Sequence, residues 1–254
     1  MFSREGTARS DNQNRLVAGY LAAVGGFVNS SGFVLIGTFT SHVTGNVGRL
    51  ANDAALGQYA AAVAALVMIV TFFVGAFLAN TIVESHFWGR RVSRAYASAL
   101  AVEALLLVSF TIVSQLSASQ AHPRVKDSEA LLLCAAMGMQ NALVTRLSGA
   151  VVRTTHMTGV LTDLGIELAR WFRFWRRRVS EATRVRLVFG SNLPERPGSP
   201  KIWLLLTIFS SFLIGAAFGA FAAVRFHQAS MLVAALAIAA CASYAALSRE
   251  THAA

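Results

Sequence analysis

Six mostly apolar runs, divided by polar or basic stretches, dominate the chain: 16–37, 59–83, 95–114, 130–150, 202–224 and 230–247. A helix rises about 1.5 Å per residue, so roughly 20 such residues cross the hydrocarbon of a bilayer. The pattern predicts an all-α fold, a polytopic transmembrane bundle of about six spans. The first run is not read as a cleavable signal peptide. It is too long, is polar at its centre and lacks a small-residue cleavage site after a short core.

Composition supports that solvent. Of 254 residues, 55% are hydrophobic and 13% charged, whereas soluble domains are nearer a quarter charged. A water-facing globule of this size needs a polar coat that this chain does not have. The formal charge of +10 does not argue for nucleic acid, because the basic residues sit between apolar runs and no folded reader or stacking groove is visible. They are unevenly placed. With the N-terminus in the cytoplasm, seventeen Lys and Arg fall in cytoplasmic segments and four in outer ones. The positive-inside bias therefore favours both termini inside and an even number of spans. Cys134 and Cys241 lie within apolar runs, which fits buried hydrophobes and no disulfide framework or metal motif.

The two halves resemble one another in three places, in the same order. Gly26-Phe-Val-Asn29 matches Gly138-Met-Gln-Asn141. Ser41-His42-Val43-Thr44-Gly45 matches Thr155-His156-Met157-Thr158-Gly159. Gly75-Ala-Phe-Leu-Ala79 matches Gly215-Ala-Ala-Phe-Gly219. The offsets are 112, 114 and 140, and the jump falls where a long basic segment is inserted. Three spans per half reverse the chain direction, so the expected architecture is two inverted three-helix repeats, 15–115 and 129–248. A disordered cytoplasmic N-terminus, 1–14, precedes them, and a basic cytoplasmic loop, 170–201, interrupts the second. Inverted repeats with broken helices near the midplane are typical of secondary transporters.

At these motifs the chain resembles a known family. Residues 25–33, Phe39–Asn46, 137–142 and Arg153–Gly159 look like the signature segments of YoaK-type bacterial membrane proteins, which carry the domain of unknown function 1275. The resemblance covers roughly residues 14–247. It implies a multi-span protein of the bacterial inner membrane and supplies no activity, substrate or catalytic residue. The family often has Asp where this chain has Asn29, so any proton-carrying role of that carboxylate is absent or relocated here.

Several residues are candidates for solute or ion binding. Asn29, Asn141 and the neighbouring Gln140 lie in spans, where a buried amide needs a hydrogen-bond partner. They read either as pseudo-symmetric ligands or as interhelical glue. Glu103 lies mid-span, and a carboxylate there is disfavoured by roughly 2.5–3.5 kcal/mol on insertion scales. It reads as a proton-coupling or cation-binding acid, or as the structural partner of Arg146 or an Asn. His42 and His156 have no carboxylate or thiol at ligand spacing, so a metal site is not expected. Ser41, His42, Thr44, Gly45 and Asn46, with Thr155, His156, Thr158 and Gly159, are read as re-entrant or half-helical breaks over 38–48 and 154–165. Asp163 and Glu167 share a helix face and read as a solvated one. Gly75, Ala79, Gly215 and Gly219 form small-x-x-x-small pairs that let helices approach closely, within one chain or between copies in a homo-oligomer. The arginine- and tryptophan-rich start of the basic loop suits anionic lipid.

No nucleophile elbow, phosphate loop or zinc helix appears, so neither enzyme activity nor a cofactor is expected. The leading reading is a small secondary transporter for a small solute or ion. The alternatives are a non-transporting scaffold or regulatory partner and, behind it, an intramembrane lipid-acting enzyme.

Overall fold

In the computed structural model, residues 11–85, 92–118, 123–147, 155–184 and 199–247 are described. They form eight helices: α1 (Asp11–Ile36), α2 (Val43–Ala55), α3 (Tyr59–Glu84), α4 (Val92–Ala118), α5 (Pro123–Leu147), α6 (Met157–Arg184), α7 (Ser199–Phe226) and α8 (Met231–Leu247). No strand occurs among the described residues. Five stretches are long and apolar enough to cross a membrane, and the last, Pro200–Leu247, is 48 residues long. At helical rise it would measure about 70 Å, twice what one crossing needs. A 3-10 turn at His227–Ser230, with His227 at φ +52°, divides it into α7 and α8. The count of roughly six spans follows.

The short helices differ in kind. α2 has 13 residues, about 20 Å, too short to cross. It is set off from α1 by a break that starts at Gly37. Gly37 adopts φ +77° and donates its N–H to the Phe33 carbonyl at 2.9 Å, a left-handed helix stop that favours glycine. α6 has 28 residues but alternates apolar and basic faces. It packs mainly on α7.

Two sequence expectations need correction. Residues 11–14 are not irregular but open α1, because the helical ladder runs on past the apolar stretch. The basic segment is not a loop throughout: 170–184 continue α6 and 199–201 begin α7. The half-helical segments expected over 38–48 and 154–165 each turn helical partway along, from Val43 and from Met157. Residues 1–10 and 185–198, together with Arg90, Arg91, Arg153 and Thr154, lie outside the described residues.

The closest helix pairings join the halves: α1 packs on α7, and α3 on α5. Both are made by glycine. A methyl on Gly26 would collide with the Phe212 carbonyl, and one on Gly215 with the Ala23 carbonyl. Likewise Gly138 seats on the Phe72 carbonyl and Gly75 on the Ala135 carbonyl. The two sets correspond residue for residue through the offsets of 112 and 140. Gly219 seats on Phe27, and Ser31 Oγ donates to the Gly219 carbonyl at 2.8 Å. Ala79, at the position matching Gly219, is fully buried. The small-residue pairs thus make their close contacts within the chain. α4 and α8 form a third pair, with Tyr96, Leu100, Leu107 and Phe110 of α4 buried in the core.

Candidate functional site

Each half has a helix break, and the two are built alike. After α1, Ser41 Oγ donates to Asn29 Oδ1 at 2.9 Å. After α5, Thr155 Oγ1 donates to Asn141 Oδ1 at 2.7 Å. Asn141 Nδ2 also donates to the Met137 carbonyl one turn back, at 2.8 Å. The asparagines therefore tie each break back onto the helix before it. Such a bond holds irregular backbone in place where water is scarce.

The histidines follow the same plan. His42 and His156 immediately precede α2 and α6, and their carbonyls accept the first helical bonds, from Asn46 and Val160, both at 3.1 Å. Each ring lies over the glycine three residues on. A Cβ on Gly45 would stand 2.5 Å from His42 Nδ1, and one on Gly159 would meet the same atom of His156. Only glycine permits that approach, which explains the His-x-Thr-Gly spacing. The Nδ1 edge faces the helix start, so the Nε2 edge is directed away from it. Phe39 stacks on Phe33 with centroids 4.3 Å apart and meets the His42 ring edge-on at 6.4 Å.

Both breaks line one cavity of about 1100 Å³. Asn29, Ser41, His42 and Thr44 enter it from the first half, and Asn141, Thr155, His156 and Thr158 from the second. Phe72 and Phe73 of α3 and Phe212 of α7 supply apolar wall. The cavity is thus bounded by both glycine-packed pairs. Arg146 also lines it, donating to Asn80 Oδ1 at 2.6 Å and Glu84 Oε1 at 2.7 Å. No Asp or Glu is among its lining residues. No group of three His, Cys, Asp or Glu that could hold a metal ion occurs among the described residues.

Two candidates lie elsewhere. Glu103 is fully buried in α4, toward Cys241 of α8, and does not line the cavity. Neither of its carboxyl oxygens has a hydrogen-bond partner. The alternative that it pairs with Arg146 is not met, because Arg146 turns to Glu84 on α3. Gln140 is also fully buried. Its Nε2 donates to the Leu21 carbonyl at 3.3 Å, while Oε1 lacks a donor and faces Gly25. Asn46 is buried in α2 outside the cavity wall.

Outside the spans, Asp163 is exposed but Glu167 is buried. Glu167 accepts from Lys201 Nζ at 2.9 Å and from Arg170 at 3.0 Å, fastening α6 to the start of α7. The Lys201 ammonium, more than Arg170, holds its carboxyl below the usual carboxylate range. The solvated-face expectation thus fits Asp163 alone. Sequence reasoning also did not anticipate Asn80 and Phe212 at the site, or Glu84 as the partner of Arg146. Nor did it see Ser41 and Thr155 as the asparagines' partners, although a hydroxyl at matching places in both motifs was a usable signal.

A chain whose described residues are helical throughout, with this many apolar traverses, is a multi-pass membrane protein. It belongs to the DUF1275 family, described as protein of unknown function, whose model matches residues 17–244. No curated protein and no solved structure matches the chain.

Proposed function

We propose that this chain is a secondary transporter of the bacterial inner membrane that moves a small polar solute or ion through the cavity between its halves. Both termini are cytoplasmic on this reading, and the halves are repeats of opposite orientation. The observation that carries it is the lining: two matching breaks, one per half, face one space. A duplicated gate around a shared cavity is what alternating access requires.

The pairing of helices supplies moving parts. α1 with α7, and α3 with α5, are each locked by glycine-to-carbonyl contacts that do not slide easily. Relative tilt of these two bodies opens the cavity first past one His-x-Thr-Gly break and then past the other. The lining suits a solute with hydrogen-bonding groups and an apolar flank, because hydroxyls and imidazoles face phenylalanines. Glu103, remote from the lining, enters as a separate proton- or cation-binding acid and not as a solute ligand.

The test is sided chemistry. Thr44→Cys in a chain whose Cys134 and Cys241 are replaced by Ala is reacted, in sealed proteoliposomes, with a membrane-impermeant maleimide. Alternating access requires reaction from either face, one face at a time. Reaction from one face only, under all conditions, refutes it and favours the scaffold reading. In flux assays on an identified solute, Glu103→Gln should lower coupled uptake while leaving solute binding intact.

A further inference from the structure

The two halves differ most in the helix that follows each break. α2 carries one basic residue, Arg49, and pairs it with Asp53 at 3.3 Å. α6 is twice as long and continues into Arg170, Arg173 and Arg176, three residues apart and all exposed. Val160, Leu164, Glu167 and Phe174 form its inner, buried face. Beside that face runs an exposed apolar stripe of Leu161, Leu168, Phe172 and Trp175, spaced by seven, eleven and fourteen residues from its start. Trp171 packs edge-on against Trp175 at 5.6 Å between centroids. The arginines occupy the flank beyond.

Three faces on one helix, one against protein, one apolar and one basic, describe a helix lying in the membrane interface. Indoles sit at headgroup level there, and guanidinium groups take phosphate oxygens. Among the described residues, Arg173 and Arg176 have no carboxylate partner, so their charge is directed outward. The other end of the helix is a cavity wall: His156 and Thr158, at its first turn, line the space. Between the two ends, Glu167 fastens the helix to Lys201.

We propose that α6 is an anionic-phospholipid sensor, in which headgroups bound along Arg170, Arg173 and Arg176 set the position of its first turn at the cavity. The lipid contact stands on the helix alone. Its effect on solute access rests on the transporter reading. The occupant is lipid of the surrounding bilayer, selected by charge and by the adjoining apolar stripe. α2, with its charge internally neutralised, does not respond. Lipid composition therefore acts on one of the two gates.

The test uses the full chain in vesicles of phosphatidylcholine alone or mixed with phosphatidylglycerol. With Trp88 and Trp203 replaced by Phe, fluorescence reports Trp171 and Trp175, and acyl chains brominated near the headgroup quench by contact. Each arginine near an anionic surface strengthens binding to it about fivefold. Brominated phosphatidylglycerol is expected to quench several-fold better than brominated phosphatidylcholine. The preference should fall several-fold in the Arg170→Gln, Arg173→Gln, Arg176→Gln triple variant and return in the matching lysine triple, which keeps the charge. Equal quenching by the two lipids in the parent overturns the proposal, as does a preference that the glutamine triple leaves undiminished. Coupling is read separately, without flux, as the maleimide rate at Thr158→Cys in the chain with Cys134 and Cys241 replaced by Ala. Phosphatidylglycerol should change that rate, and by more than it changes the rate at Thr44→Cys. If neither rate changes, α6 binds lipid without acting as a sensor, and the transporter reading is untouched.

Discussion

Replacing Gly26 or Gly138 by alanine tests the paired architecture most directly. In each case the added methyl would occupy space held by a backbone carbonyl of the facing helix, Phe212 for Gly26 and Phe72 for Gly138. A side chain could rotate away, but a carbonyl inside a helix cannot, so the helices must part by about 1 Å along their contact. Overpacking of this kind costs about 1–3 kcal/mol, and the rigidity of both partners places these sites at the upper end. Alanine returns about 1 kcal/mol of helix propensity. The expected net loss is about 2 kcal/mol per site, equal at the two positions because their surroundings correspond. The internal control is Gly165 in α6 and Gly48 in α2, where a methyl meets nothing within 4 Å. There the propensity term stands alone, and Gly→Ala should stabilise by up to about 1 kcal/mol. Unfolding in mixed micelles of mild detergent and dodecyl sulfate, followed by circular dichroism, gives all four values on one scale. If Gly26→Ala and Gly138→Ala unfold at the same midpoint as Gly165→Ala, the glycine contacts do not hold the helix pairs together.

Other outcomes follow from single contacts. Asn141→Ala removes the acceptor of Thr155 and should lower stability by about 1 kcal/mol, with faster proteolysis at the break as the readout; Asn29→Ala should do the same after α1. Glu103→Gln, which disturbs no hydrogen bond, should unfold within about 1 kcal/mol of the parent, and a larger loss would reveal a partner for the carboxylate. Glu167 is held below its ordinary range by Lys201 and Arg170, so its stabilising contribution is complete above the unfolded carboxylate pKa. It is lost as pH falls through the lowered folded value. Glu167→Gln should accordingly flatten the acid limb of the stability curve and leave the alkaline limb unchanged.

The spans were legible because lipid leaves so direct a mark: Tyr59–Glu84 and Met231–Leu247 begin or end within a residue of the apolar runs that announce them. The likeness of the motifs was legible too. Which helix packs on which was not. A repeat tells that Gly26 corresponds to Gly138, but not that Gly26 meets Phe212, since facing surfaces leave no pattern in either strand of sequence alone. Asn29 and Asn141 read as ligands or as interhelical glue because a buried amide invites a partner. The partner is a hydroxyl 12 to 14 residues on, visible only once the chain turns back. Glu103 looked central by depth in its run, yet depth says nothing about which way a helix face points. α6 was hidden because a high density of arginine resembles a loop, while its three-faced periodicity becomes meaningful only when one face is seen to be covered.

The crossed partnership of α1 with α7 and α3 with α5 has a consequence for how the protein is made. Neither half contains its own tight pair. As the ribosome delivers the chain, the carbonyl-seating faces of α1 and α3 enter the bilayer with nothing opposite them. They wait for α5, and then for α7, nearly the whole length of the chain later. Assembly is thus a late event, completed only when the last third of the protein has been inserted. A chain cut between α4 and α5 should still assemble when both pieces are made in one cell, and either piece alone should be degraded.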